Sequence, residues 1–178
     1  MAVITGGARG LGLAMNQALV LSGAHLAIDA ADNQARRLTE LFSETYPGHE
    51  YDKSEFWYVS SKPESDAPVA KILSQHPAIT NIITCAGFCE NCDTIKFPSE
   101  RVKRMLRFNV ESVYYFATGI AWHMMEHQTA GNMVFIGSIS GSISLVNNPR
   151  LKAECVLKIP QKRIGTPEEL MGTVVFLT

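Results

Sequence analysis

The sequence predicts a single α/β domain, a doubly wound parallel sheet covered on both faces by helices to give three αβα layers. Three observations carry that expectation. Short β-prone apolar runs alternate with segments whose apolar residues recur every three or four positions. A glycine-rich turn directly follows the first of those runs. The apolar share of 46% is broken by Gly, Ser and Asn into pieces far shorter than the ~20 residues that span a bilayer. At 178 residues the chain has the size of one domain, and a chain of about 150 residues already buries roughly 70% of its unfolded surface without staples.

Met1 to Thr5 gives the first strand and runs straight into Gly6-Gly7-Ala8-Arg9-Gly10-Leu11-Gly12. Leu11, Met15, Ala18, Leu19 and Leu21 follow at helical spacing, Gly23 ends that helix, and His25 to Asp29 reads as the second strand, completing a βαβ unit of about 30 residues. Arg36 to Tyr46 reads as helix, Glu55 to Val59 as strand, Ala67 to Leu73 as helix and Ile79 to Thr84 as a buried strand. Beyond a cysteine-rich loop, Val102, Leu106, Asn109, Val113, Phe116, Ile120 and Met124 mark one long helix, and Met133 to Ile136 a fifth strand. Near the end, Thr166, Pro167 and Glu169 form the N-cap, first-turn proline and capping-box acid of a helix carrying Leu170, Val174 and Leu177. No repeat, low-complexity tract or linker divides residues 1–178.

Charge and cysteine usage narrow the function. Sixteen basic and 17 acidic residues give a net charge of −1, with no Lys/Arg stripe to neutralise phosphates, so nucleic acid is not an expected partner. Arg9 and the glycines interrupt the stretch where an export signal would need an unbroken apolar run. Four cysteines, three of them between residues 85 and 92, then suit a reducing cytosol better than a disulfide framework. The expectation is a cytoplasmic protein with no membrane partner.

The strongest chemical signal is the turn itself. Where a first strand passes into a helix, glycines let the backbone approach a pyrophosphate, which the helix N-terminal amides then stabilise. Its spacing here, Thr5-Gly6-x-x-x-Gly10-x-Gly12, makes Gly6, Arg9, Gly10, Leu11 and Gly12 candidates to hold a dinucleotide. Asp29 ends the second strand, where an acid would bind the adenosine ribose hydroxyls of NAD, whereas Arg9, Arg36 and Arg37 would attract the 2′-phosphate of NADP. An ordinary strand-end turn is the competing explanation for Asp29.

These residues resemble the short-chain dehydrogenases/reductases. Thr5 to Gly12 matches that family's cofactor turn, and Thr84-Cys85-Ala86-Gly87 stands where it usually has Asn-Asn-Ala-Gly. Phe108-Asn109-Val110, Ser138-Ile139-Ser140-Gly141 and Arg163 to Glu169 match in order along nearly the whole chain, and the detail is most similar to fungal enzymes of sugar alcohols and ketoses (arabinitol, sorbose and xylulose type). The resemblance implies a Rossmann-type fold, NAD or NADP as cofactor, and hydride transfer between the nicotinamide and a secondary alcohol or ketone. It places Cys85, Ala86 and Gly87 beside the cofactor, Ser140 on the substrate oxygen and Asn109 in a proton relay. An amide on an apolar helical stripe also calls for a buried partner on physical grounds. A homo-oligomer is implied as well, since family members are often tetramers.

One departure is large. The resemblance calls for Tyr-x-x-x-Lys, whose ammonium lowers the phenol pKa from ~10 toward neutrality. The Tyr belongs about 13 residues after Ser140 on the next helix, but Asn147-Asn148-Pro149-Arg150 runs into Leu151-Lys152-Ala153-Glu154, and residues 151–177 already resemble the family's C-terminal part. The pair, its helix, the sixth strand and the family's Pro-Gly loop beside the nicotinamide are missing together, which implies an incomplete fold with an internal deletion near 150/151. The alternative function is a catalytically dead, truncated or mis-spliced remnant that binds at most a dinucleotide or a protein partner. Tyr58-Val59-Ser60-Ser61-Lys62 has the right internal spacing in the wrong place, after the third strand.

Two metal-like patterns favour bland readings. His123-Met124-Met125-Glu126-His127 fits H-x-x-E-H but ends an amphipathic helix without a third ligand in a suitable context. Cys85, Cys89 and Cys92 lack a fourth ligand at finger spacing, so no metal is expected.

Overall fold

The computed structural model describes residues 1–29, 40, 44, 51, 52, 69–74, 77–90, 92–138, 156, 157 and 159–178. Five strands, β1 (Ala2–Thr5), β2 (Leu26–Asp29), β3 (Tyr51–Asp52), β4 (Asn81–Thr84) and β5 (Asn132–Phe135), form one sheet in the order β3-β2-β1-β4-β5. Every pairing is parallel, and Thr5 is in register with both Asp29 and Thr84, while Thr84 is in register with Phe135. From β1 the chain winds outward through β2 to β3, then returns to β4 on the other side of β1. The carboxyl ends of β1 and β4 therefore border the crevice where strand order reverses.

Ala2, Val3, Ile4 and Thr5 are all buried, as a central strand of a parallel sheet requires. Alternate side chains enter opposite layers. Ala2, Ile4, Leu26 and Ile83 pack with Met15, Ala18, Leu19 and Val20 of α1 (Gly10–Leu21) and with Val174 of the last helix. Val3, Ile79 and Ile82 pack with Val69 and Ile72 of the helical residues 69–74 (α2) and with Phe116, Ile120 and Met124. Ile82 and Ile83 are fully buried neighbours facing opposite layers, and burial of each such side chain contributes about 1.5–3 kcal/mol. Helices thus cover both faces, as expected.

Several boundaries depart from the sequence reading. The third strand lies at Tyr51–Asp52, and the expected strand over Glu55–Val59 lies outside the described residues, as does most of the helix expected over Arg36–Tyr46, of which Glu40 and Glu44 are helical. β4 begins at Asn81 because Ile79 is buried ahead of the ladder and Thr80 N–H is taken by the Met1 carbonyl. β5 starts one residue early, although Ile136 N–H still donates to the Thr84 carbonyl at 3.1 Å.

The long helix is not one uniform stripe. It consists of α3 (Ser99–Leu106), a π turn (Arg107–Glu111) and α4 (Ser112–Glu126). Phe116, Ala117, Ile120 and Met124 of α4 are buried, but no residue of α3 is, and Val102 and Leu106 face solvent. The capping box is formed as expected: the Thr166 side chain accepts from the Glu169 N–H, and the Glu169 carboxylate accepts from the Thr166 N–H at 2.7 Å. The Arg163 guanidinium and that N–H hold the Glu169 carboxyl down to about 2. This start leads through Pro167–Leu170 into α5 (Met171–Leu177), which lies on α1. Among the described residues β5 is an outer strand with Phe135 exposed, and no helix is long and apolar enough to cross a membrane.

Candidate functional site

At the carboxyl end of β1 the chain turns at Gly6 with φ +70, a conformation that L side chains rarely adopt. A Cβ there would lie 2.8 Å from the Ala86 N and Cα, so this glycine lets the first turn rest on the backbone leaving β4. Gly12 is needed for a different contact. Its Cβ would lie 2.3 Å from the Gly6 carbonyl oxygen and 3.0 Å from the Gly7 Cα, so the start of α1 folds back onto the turn that precedes it. Gly10, at φ +55 with open space around it, is required for conformation alone.

Thr5 ties the two strand ends together. Its carbonyl accepts from the Cys85 N–H and its Oγ1 from the Ala86 N–H, both at 3.2 Å. Arg9 is the N-cap of α1 in extended backbone, with an exposed side chain that makes no cap hydrogen bond, and the first turn carries no acid. The positive end of α1 is thus left without a carboxylate, beside a turn packed too closely at positions 6 and 12 to admit a Cβ. That donor set fits a phosphate-bearing ligand. Behind it, Asn16 is fully buried and its Nδ2 donates to the Gly7 carbonyl at 2.9 Å, while its Oδ1 has no partner among the described residues.

Cys85 borders the same crevice, half-buried. Burial pushes its thiol up and a hydrogen bond from the Gly12 N–H only partly offsets that, so at neutral pH it is a thiol rather than a reactive thiolate. Cys89 and Cys92 are exposed, and no group of three metal-ligating side chains occurs among the described residues. The rings of His123 and His127 stack with centroids 4.1 Å apart, each bonded to a backbone carbonyl, those of Pro77 and His123 respectively.

Asn109 sits in the π turn and is exposed, which corrects the expectation of a buried partner. It is nonetheless fully engaged: its Oδ1 accepts from the Phe88 N–H at 3.0 Å and its Nδ2 donates to the Phe88 carbonyl at 2.8 Å. The Phe88 ring lies edge-on to Phe108 and under the Arg104 guanidinium, and Glu90 pairs with Arg101 and Arg104. The loop leaving β4 is therefore clamped to the long helix. Asn109→Ala removes both backbone bonds, each worth about 0.5–1.5 kcal/mol net, and is expected to speed Phe88 amide exchange by about tenfold while leaving helical circular dichroism unchanged. Unaltered exchange would show that the ring contacts hold the loop without it.

The structure thus brings Gly6 and Gly12 of the turn that also holds Arg9, Gly10 and Leu11 against Cys85 and Ala86, with Gly87 next in the chain. The Asp29 backbone lies beside Thr5 on the neighbouring strand. Ser140, Arg36, Arg37 and Tyr58 to Lys62 lie outside the described residues. Sequence reasoning passed over Asn16 and the Phe88–Glu90 clamp. An amide between Met15 and Ala18 on an apolar helical face was the available signal for Asn16; the clamp had none, because its partners come together only through the fold.

A family model described as short chain dehydrogenase matches residues 1–150. The chain is 21% identical over 240 aligned positions to the D-arabinitol 2-dehydrogenase [ribulose-forming] of Candida tropicalis, covering 99% of this chain and 84% of that protein. With the enzyme of that name from Scheffersomyces stipitis it shares 26% over 161 positions, 84% of this chain but only 57% of the relative. The 240 positions exceed the 178 residues of this chain, so the Candida protein carries segments inside the aligned span that are lacking here. Among solved structures, a short-chain type dehydrogenase/reductase from Mycobacterium marinum superposes with a TM-score of 0.85 at 20% identity, covering 99% of this chain and 86% of that one. A variant of the actinorhodin polyketide ketoreductase with NADPH gives 0.83 at 18%, covering 99% and 88%.

Proposed function

This chain belongs to the short-chain dehydrogenase family, and from that premise we propose that its glycine turn holds a nicotinamide dinucleotide while the segment that would carry acid-base chemistry is missing. The observation that carries the reading is the cradle at Gly6 and Gly12, closed to any Cβ and facing the acid-free end of α1. Gly6, Gly10, Gly12, Arg9 and Leu11 would hold the pyrophosphate, with Cys85, Ala86 and Gly87 along its flank. When bound, the dinucleotide supplies a hydride acceptor or donor. The chain's own residues orient it: Asp29 would meet the adenosine ribose of NAD, and Arg9, exposed at the N-cap, would favour the extra phosphate of NADP. Ser140 would hold the oxygen of a secondary alcohol or ketone, of the polyol or ketose kind named for the fungal relatives. Asn109 would act by holding the Phe88 loop at the crevice.

We infer that the missing segment belongs at 150/151. In support, the family match ends at residue 150, and the tyrosines stand at positions 46, 51, 58, 114 and 115, none of them after Ser140. A single cytoplasmic domain that binds dinucleotide but turns over no polyol or ketose is the resulting reading. Calorimetry of the purified chain with NADH and NADPH tests it. Binding should be measurable but weaker than about 10 µM, because the pyrophosphate cradle is present and the nicotinamide side is stripped. Affinity in the low micromolar range or tighter would contradict the stripped site, and no binding at millimolar cofactor would contradict the cradle.

A further inference from the structure

We propose that Asn16 is a positioning residue: it holds the Gly7–Ala8 peptide in the one orientation that presents an N–H, rather than a carbonyl, to an anion at the glycine turn. The inference rests on reading that turn as the dinucleotide site.

Asn16 lies in α1 beside Met15, Ala18 and Leu19, which fill the apolar layer, and it is fully buried. An amide buried in such a place costs stability unless it is hydrogen-bonded. Its Nδ2 donates to the Gly7 carbonyl at 2.9 Å, across nine residues of sequence. Its Oδ1 has no partner among the described residues, so the amide is not there for its own satisfaction. What it achieves is geometric. No cis peptide occurs among the described residues, and in a planar trans peptide the C=O and N–H point in opposite directions. Drawing the Gly7 carbonyl inward therefore turns the Ala8 N–H outward, on the side away from Asn16. Glycine leaves this peptide freer than any other residue would, so sterics alone do not choose between the two orientations. The flipped peptide would put a carbonyl dipole where a phosphate oxygen must sit. Asn16 touches no ligand; it acts through Gly7.

The test compares the isotope-labelled chain with Asn16→Ala and Asn16→Asp. The Ala8 N–H dipolar coupling in partially aligned, ligand-free protein reports the peptide orientation, and titration with ADP-ribose, a pyrophosphate without nicotinamide, reports the consequence. In Asn16→Ala the coupling should change and ADP-ribose affinity fall about tenfold. In Asn16→Asp the carboxyl donates to the Gly7 carbonyl only while protonated. Coupling and affinity should therefore be close to wild type at low pH and both be lost as pH rises through its titration, a dependence absent from wild type and from Asn16→Ala. If Asn16→Ala does not fold, this switch within one folded variant carries the test. An unchanged coupling in the variants, or a changed coupling with unchanged affinity, overturns the proposal. If the coupling changes but wild type binds no ADP-ribose at millimolar concentration, the dinucleotide reading fails, and the presentation of the N–H to an anion is overturned with it, while Asn16's hold on the turn remains.

Discussion

Gly12→Val should abolish dinucleotide binding. The added Cβ would sit 2.3 Å from the Gly6 carbonyl oxygen and 2.9 Å from its carbon, closer than real Cβ contacts come, and two γ-carbons follow it. Neither neighbour is a flexible side-chain end that could swing away. Relief requires the turn to open, and opening it pulls Gly6 off the Ala86 backbone, where space is equally short. Overpacking of this kind typically costs about 1–3 kcal/mol, so the domain survives in part while the cradle does not. Gly10→Ala is the contrasting variant: nothing lies within 4 Å of its Cβ, and the penalty is the left-handed backbone alone, about 1–2 kcal/mol. Titration of both variants with NADH and ADP-ribose checks the expectation, which is a signal lost in Gly12→Val and retained in Gly10→Ala. Unchanged affinity in Gly12→Val would remove the turn from the site.

The second large effect is catalytic. The chain as written should turn over no polyol or ketose, and a family-like segment carrying Tyr-x-x-x-Lys inserted between Arg150 and Leu151 should be required for activity. Ser140 can orient an oxygen, but a hydroxyl without a base cannot take up or deliver its proton near neutral pH. Proton transfer by a positioned group is worth about 10² to 10⁴ in rate, and orientation of the nicotinamide adds to that. Among the described residues β5 is an outer strand, with Phe135 54% exposed, and Phe176 of α5 is 87% exposed. An open edge beside apolar side chains invites association, so light scattering should fall when the segment is restored. Steady-state assays with arabinitol, sorbitol, xylulose and sorbose, each with NAD(H) and NADP(H), decide the matter. Turnover abolished by Tyr58→Phe would mean the active site lies elsewhere. Turnover that survives Tyr58→Phe yet needs Ser140 would mean another base serves.

What could be read from the sequence was what is encoded locally. The β1–α1–β2 unit, the glycine turn and the capping box at Thr166 depend on residues within a few positions of one another, and each stands as expected. The same reading took Val102, Leu106, Asn109 and Phe116 as one apolar stripe, because counting at 3.6 residues per turn assumes a regular helix. The π turn at Arg107–Glu111 breaks that regularity, and no residue of α3 on its far side is buried, Val102 and Leu106 included. Gly12 also lets the turn fold on itself, a contact that only the folded backbone reveals. Asn109 and Asn16 show the remaining limit. An amide among apolar neighbours announces that a partner is needed, but the partners, Phe88 and Gly7, are chosen by tertiary placement.

The sheet order also sets a timetable. β1 is made before both strands that flank it, with Ala2 paired to Leu26 on one side and to Asn81 on the other. At a synthesis rate of 5–20 residues per second, β4 follows β2 by roughly 3 to 11 s. Throughout that interval the middle of the future sheet is an unprotected edge, and closing the second pairing spans a loop about three times longer than the first, an added entropy of about 1 kcal/mol. Until β4 is made, the pairing that completes the crevice cannot form, and the exposed flank of β1 is open to aggregation or proteolysis.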